Sequence, residues 1–197
     1  MSDAITFDKD QTAVLIMDYQ NEIMNMLPES HRQSLLEHAE AVLSQARENG
    51  LPVIYIAVRF RKGYPEVSPK NKSFSSLKEA NRLIEGTAGA EIHSQVAPQD
   101  GDVVVTKRRV GAFSTTDLDV VLRSQGISHL VLFGIATSGV VLSTVRWAAD
   151  MDYKLTVIAD ACADHDEEVH HVLTEKVFPR QADVIRTADF LKALNFI

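Results

Sequence analysis

Short, wholly apolar runs recur along this chain, and helical patterns separate most of them. The runs are TAVLIMD at 12–18, PVIYIAV at 52–58, DVVVTK at 102–107, SHLVLFG at 128–134 and KLTVIAD at 154–160. A strand with one face in water alternates apolar and polar residues. A continuous apolar run of this length fits a strand covered on both faces. Residues 31–48 place Leu35, Leu36, Ala39, Ala41, Val42, Leu43 and Ala46 among charges and end near Gly50, the pattern of a helix with a glycine stop. Further helices are predicted over 114–125, with Ser114 or Thr115 as cap, and over 138–150, 166–177 and 188–195. ADVIRT at 182–187 supplies a short sixth strand. This alternation predicts an α/β fold of three layers, α-β-α: a six-stranded, mostly parallel sheet with helices on both faces.

The length of 197 residues fits one domain spanning 1–197. With 45% apolar and 24% charged residues the chain reads as globular. A net charge of −7 argues against a nucleic-acid partner. No apolar run approaches a membrane span, so no membrane partner is expected. MSDAITFDKD does not resemble a secretory signal, and one cysteine, Cys162, excludes an internal disulfide framework; both fit a cytoplasmic protein. Residues 61–100 are polar and rich in Gly and Pro. Such a long excursion in a compact domain is functional or forms a subunit contact.

Ligands of open parallel sheets bind beyond the carboxyl ends of the strands. Those ends carry Asp18 with Tyr19, Gln20 and Asn21; Arg59 and Arg61; Lys107 with Arg108 and Arg109; the turn Gly134–Gly139; and Asp160. Each has an ordinary structural explanation, as loop cap, solvated strand end or packing turn. Together they place a carboxylate, a lysine and a helix N-terminus on one edge.

The segments AVLIMDYQNE, VVVTKRRVGAFSTTDLDVVLRSQGI, GIATSGVVLSTVRWAAD and YKLTVIADACAD, in that order, give the chain a resemblance to the isochorismatase-like hydrolase superfamily, the cysteine hydrolase fold. That group includes isochorismatases, nicotinamidases and N-carbamoylsarcosine amidases. The resemblance spans nearly the whole chain and implies catalytic roles for Asp18 and Lys107. It puts Val140 where most members carry a nucleophilic cysteine. It also implies a cis peptide at Ile135–Ala136, an oxyanion hole from the backbone N–H groups of Ala136 and Val140, and a homo-oligomer. Substrate contacts are expected from Arg59, Tyr19, Gln20, Ala136 and Gly139. Trp147 is expected either in the core or at a subunit contact.

Without a thiol at position 140 the thioester route is closed. Cys162 follows another strand and reads as a small buried apolar residue. Ser138, Ser143 and Thr144 have no histidine beside them in sequence, as serine activation usually needs. The loop RFRKGYPEVSPKNK lacks the Asp and His of metal-binding relatives, so neither metal nor cofactor is expected. Vinyl-ether cleavage of the isochorismatase type needs only a general acid, and Asp18 is the candidate. Lys107 would lower its pKa and burial would raise it. Arg59, Arg61, Lys62, Arg108 and Arg109 are candidate charges for an anionic small-molecule substrate. Two alternatives remain open: hydrolysis of another small amide by activated water, as in a nicotinamidase-like amidase, and a catalytically inactive ligand-binding member.

Overall fold

The computed structural model describes residues 5–194. Six strands form one sheet: β1 (Thr12–Met17), β2 (Val53–Val58), β3 (Val103–Lys107), β4 (His129–Gly134), β5 (Lys154–Ile158) and β6 (Asp183–Ile185). Their order is β3-β2-β1-β4-β5-β6, and every pairing is parallel. The expected fold class holds, with the sheet wholly rather than mostly parallel. Every residue of β1, β2 and β4 is buried, which is why those segments carry no polar alternation.

The helices are α1 (Asn21–Met24), α2 (Glu29–Glu48), α3 (Lys72–Glu79), α4 (Leu118–Ser124), α5 (Leu142–Asp150), α6 (Glu167–Val172) and α7 (Thr187–Leu194). Strand order steps one way through β1, β2 and β3 and the other way through β4, β5 and β6. Right-handed crossovers then put the connecting helices on opposite faces. The buried stripe of α2, Leu35 to Ala46, packs on β1 and β2 and beside α7. The helix ends where Gly50 adopts φ 72° and its N–H bonds Arg47 O at 3.0 Å. The excursion after β2 has its own apolar cluster of Val58, Phe60, Tyr64, Val67, Phe74 and Leu83.

Two expectations need correction. The helix predicted from residue 114 begins only at Leu118, and neither Ser114 nor Thr115 caps it. Thr115 sits at φ 62° and donates to Ser114 O, while Thr116 donates to Ala112 O at 2.7 Å. These hydroxyls build a turn instead of a helix end. The helix predicted over 138–150 opens as a π-turn over Thr137–Val141, with Ala136 O accepting from both Gly139 N–H and Val141 N–H. The predicted end of the last helix, residue 195, lies outside the described residues. No helix among those described is long and apolar enough to cross a membrane.

β1 and β4 are neighbours although β2 and β3 intervene in sequence, so the chain order reverses between them. Their close approach depends on Gly134. A Cβ there would meet Met17 O at 2.7 Å and Met17 Cβ at 2.8 Å. Gly134→Ala is therefore expected to lower stability by ~1–3 kcal/mol, the usual cost of overpacking. Urea unfolding at matched m-value measures it.

Candidate active site

Asp18 and Lys107 come from strands that are not adjacent. β2 lies between β1 and β3, and Val58, its last residue, is in register with Lys107. The two side chains reach each other over the end of β2. Lys107 Nζ lies 2.8 Å from Asp18 Oδ2 and also donates to Arg109 O at 3.1 Å. Asp18 Oδ1 accepts from Val58 N–H at 3.1 Å. Asp18 is 4% and Lys107 2% exposed. Asp18 also holds φ 60°. Left-handed geometry costs a non-glycine residue ~1–2 kcal/mol and concentrates at functional sites. The β1 ladder continues through it, since Asp18 N–H bonds Ile56 O at 2.8 Å.

Burial is the largest influence on the proton affinity of this carboxyl. Loss of water raises the Asp18 pKa above its ordinary 3.8, outweighing the lowering by the Lys107 charge, the Lys107 hydrogen bond and the Val58 N–H.

The turn after β4 forms the second side of the site. Ile135 N–H donates to Met17 O at 3.1 Å, so the turn leaves the sheet beside Asp18. The Ile135–Ala136 peptide is cis. The Ala136 N–H has no partner among the described residues. A Cβ on Gly139 would lie 3.8 Å from Ala136 Cβ and 4.0 Å from Val110 Cγ1, so the segment after Lys107 closes over the turn. Val140 is buried and belongs to the main core.

Three residues that hold this turn are not legible in the sequence. Thr137 N–H donates to Ala163 O at 2.9 Å, Thr137 Oγ1 meets His170 Nδ1 at 2.8 Å, and Ser138 N–H donates to Asp164 Oδ2 at 2.7 Å. A histidine does therefore sit beside a hydroxyl of the turn, brought there by α6 from 33 residues away. Burial lowers the His170 pKa. Thr144 instead accepts from Ala112 N–H at 3.2 Å.

Tyr19 and Gln20 lie in the wall beneath the pair. Tyr19 packs edge-on against Phe133 and donates to Ala161 O at 2.6 Å. Gln20 is fully buried; it donates to Val58 O at 2.8 Å and Ala90 O at 2.7 Å, and accepts from Val58 N–H at 2.8 Å. Their polar atoms satisfy backbone groups. Most of the candidate cations are also engaged. Arg59 bonds Ala90 O and pairs with Glu91 at 3.2 Å. Arg61 pairs with Glu66 at 3.7 Å. Arg108 joins Arg59 O, Glu66 and Glu85 in one clasp. Arg109 meets no carboxylate among the described residues; its guanidinium donates to Arg108 O at 2.6 Å.

Cys162 is buried after β5, and burial pushes its thiol up to about 12. It lines a cavity of about 570 Å3 with Asp160, Asp164 and His170, which neither Asp18 nor Lys107 lines. No group of three metal-ligating side chains occurs among the described residues.

An isochorismatase domain model matches residues 12–189. The uncharacterized isochorismatase family protein YwoC of Bacillus subtilis is 31% identical over 201 residues, covering 99% of this chain and 100% of its own length. A cysteine hydrolase from Pseudomonas syringae pv. phaseolicola shares the fold at TM-score 0.87 and 21% identity, covering 100% of this chain and 99% of that one. N-carbamoylsarcosine amidase from Thermoplasma acidophilum is similar at TM-score 0.76 and 25% identity, covering 90% of this chain and 96% of its own. The chain belongs to the isochorismatase family, and it is a hydrolase.

Gln20 fixes the loop that carries Asp18, and its loss would leave buried backbone acceptors unpaired. Gln20→Leu is expected to destabilise the protein by roughly 2–4 kcal/mol, from ~1–3 kcal/mol per orphaned group. Denaturant titration reads the change directly.

Proposed function

We propose that this hydrolase works on a small molecule without a cysteine nucleophile, and that Asp18 is the general acid of a vinyl-ether hydrolysis. The observation that carries the proposal is a carboxyl buried at the sheet edge with a lysine at 2.8 Å, where burial pushes its pKa upward. A raised pKa leaves a larger share of the protonated acid at a given pH. Val140 fills the position of the family cysteine with an apolar side chain, and the Cys162 thiol stays protonated in its burial site.

The acid delivers its proton to the terminal methylene carbon of the enol ether. The electron pair of the C=C bond forms the new C–H bond, and the ether oxygen supports the oxocarbenium carbon. Water adds to that carbon, and the resulting hemiketal breaks into a keto acid and an alcohol. The proton released by the water restores Asp18. Lys107 stabilises the carboxylate while it is charged. The Ala136 and Val140 N–H groups stabilise the alcohol oxygen as it takes the C–O bonding pair and leaves the hemiketal, with Gly139 keeping the approach open. Tyr19 and Gln20 position the Asp18 loop, and Arg59 holds the segment at Ala90. Arg109 is the cation best placed to meet a substrate carboxylate, because the neighbouring arginines already have acidic partners.

Pyruvate release from isochorismate tests this. Asp18→Asn is expected to lower kcat by ~10²–10⁴-fold, the range for loss of a general acid. Cys162→Ala is expected to leave it unchanged. The protonated form is the active one, so the rate is highest below the folded pKa of Asp18 and falls as pH rises through it. Its raised pKa moves that limb above the ordinary carboxylate position. Absence of pyruvate, or full turnover by Asp18→Asn, rules the proposal out. The likeness to N-carbamoylsarcosine amidase favours a second reading, water-driven hydrolysis of a small amide. Amide turnover requiring both Asp18 and Lys107 would select it.

We also infer self-association. Trp147 on α5 and Met151, the residue that follows the helix, are 51% and 41% exposed, and a second copy of the chain would cover them. Trp147→Ser is expected to lower the mass seen by light scattering; an unchanged assembly places the contact elsewhere.

A further inference from the structure

We propose a second ligand site, separate from the Asp18–Lys107 pair, for a small organic anion with an apolar body. A cavity of about 440 Å3 lies between α1, the first turns of α2 and the turn at 93–95. That size suits a small metabolite, since such pockets span roughly 300–1,000 Å3. Neither Asp18 nor Lys107 lines it, and the proposal does not depend on which reaction the enzyme performs.

The chemistry of the lining selects the ligand. Met24 and Leu36 are buried and give it apolar surface. Arg32 gives it a positive charge, and His93, whose pKa is lowered by burial and by Arg32, adds a neutral hydrogen-bond donor. Arg32 has no ion-pair partner among the described residues. Its Nη1 donates to Asn25 Oδ1 at 2.9 Å, and its buried Nε–H has no partner among them. Arg47, Arg59, Arg82 and Arg108, by contrast, each meet a carboxylate. A partly buried guanidinium without a counter-charge is costly, and an oxyanion satisfies it in a fork geometry. His93 lines the same cavity. Its Nδ1 accepts from Gln95 N–H at 3.3 Å, which leaves Nε2–H as a donor. Asn25 accepts through its oxygen and keeps its amide NH2 to donate.

Glu29 is the one carboxylate in the lining. It is exposed and forms no ion pair with Arg32 among the described residues, so solvent screens its repulsion of an anion. A carboxylate or a phosphate head group fits these donors equally. The wall of the cavity is tied to the catalytic loop, since His93 N–H donates to Tyr19 O at 2.9 Å.

Benzoate and phenyl phosphate, titrated separately and followed by amide NMR shifts and calorimetry, test the site and distinguish the two head groups. At least one of them is expected to shift the amides of residues 24–36 and 93–95. Its affinity should fall at least tenfold in Arg32→Gln, recover in part in Arg32→Lys, and persist in Asp18→Asn. The amide spectrum of each variant reports whether it is folded. The proposal is overturned if neither compound shifts these amides. It is equally overturned if Arg32→Gln binds as well as the unaltered protein, or if binding is lost only in Asp18→Asn, which places the anion in the catalytic cleft.

Discussion

A carboxylate and an ammonium group meet at 2.8 Å over the end of β2, both almost entirely out of water. Removing two ions from solvent costs several kcal/mol per ion, and their attraction offsets this only with good geometry and further hydrogen bonds. The surrounding structure supplies both. Val58 N–H meets the carboxylate, Arg109 O meets the ammonium, and the parallel register sets Val58 opposite Lys107. The unusual backbone of Asp18 is held because the strand ladder continues through its own N–H to Ile56.

The same edge explains why a forty-residue excursion follows β2. Gln20 binds both Val58 and Ala90, so the excursion is fastened directly to the residues after Asp18. Arg59 and Arg108 extend the fastening to Glu91, Glu66 and Glu85. Positive charge that appears free in the sequence thus serves internal cohesion. On the other side, His170 of α6 and Asp164 of the loop before it clamp the turn after β4. The site is framed by two non-local clamps, one on each side of the switch in strand order.

β1, β2 and β4 were legible because burial on both faces leaves no room for polar alternation, whereas β3 and β6 at the sheet edges are partly exposed; each strand begins and ends within two residues of its run. The Asp18–Lys107 encounter was legible from topology, since the two residues close strands of one sheet. Side-chain partners were not. Arg59 looked available because Glu91, its counter-ion, lies 32 residues on. Tyr19 and Gln20 follow Asp18 at the strand end, where substrate contacts are expected, yet the fold uses their hydrogen bonds internally. The start of α4 at Leu118 has no clear mark in the sequence, because Ser and Thr favour turns as well as caps. The pairing of Thr137 with His170 has no local signal, since α6 supplies it from a separate element.

The central claim is that burial prevails over Lys107 in setting the proton affinity of Asp18. A pH titration of the Asp18 side-chain carboxyl carbon by NMR, in protein selectively labelled with carbon-13 and assigned with Asp18→Asn, measures this without any substrate. The account predicts a midpoint above 3.8, rising further in Lys107→Met as the stabilising cation is removed. A midpoint below 3.8 would show that Lys107 prevails, and Asp18 would then be a charged structural partner with no proton to give.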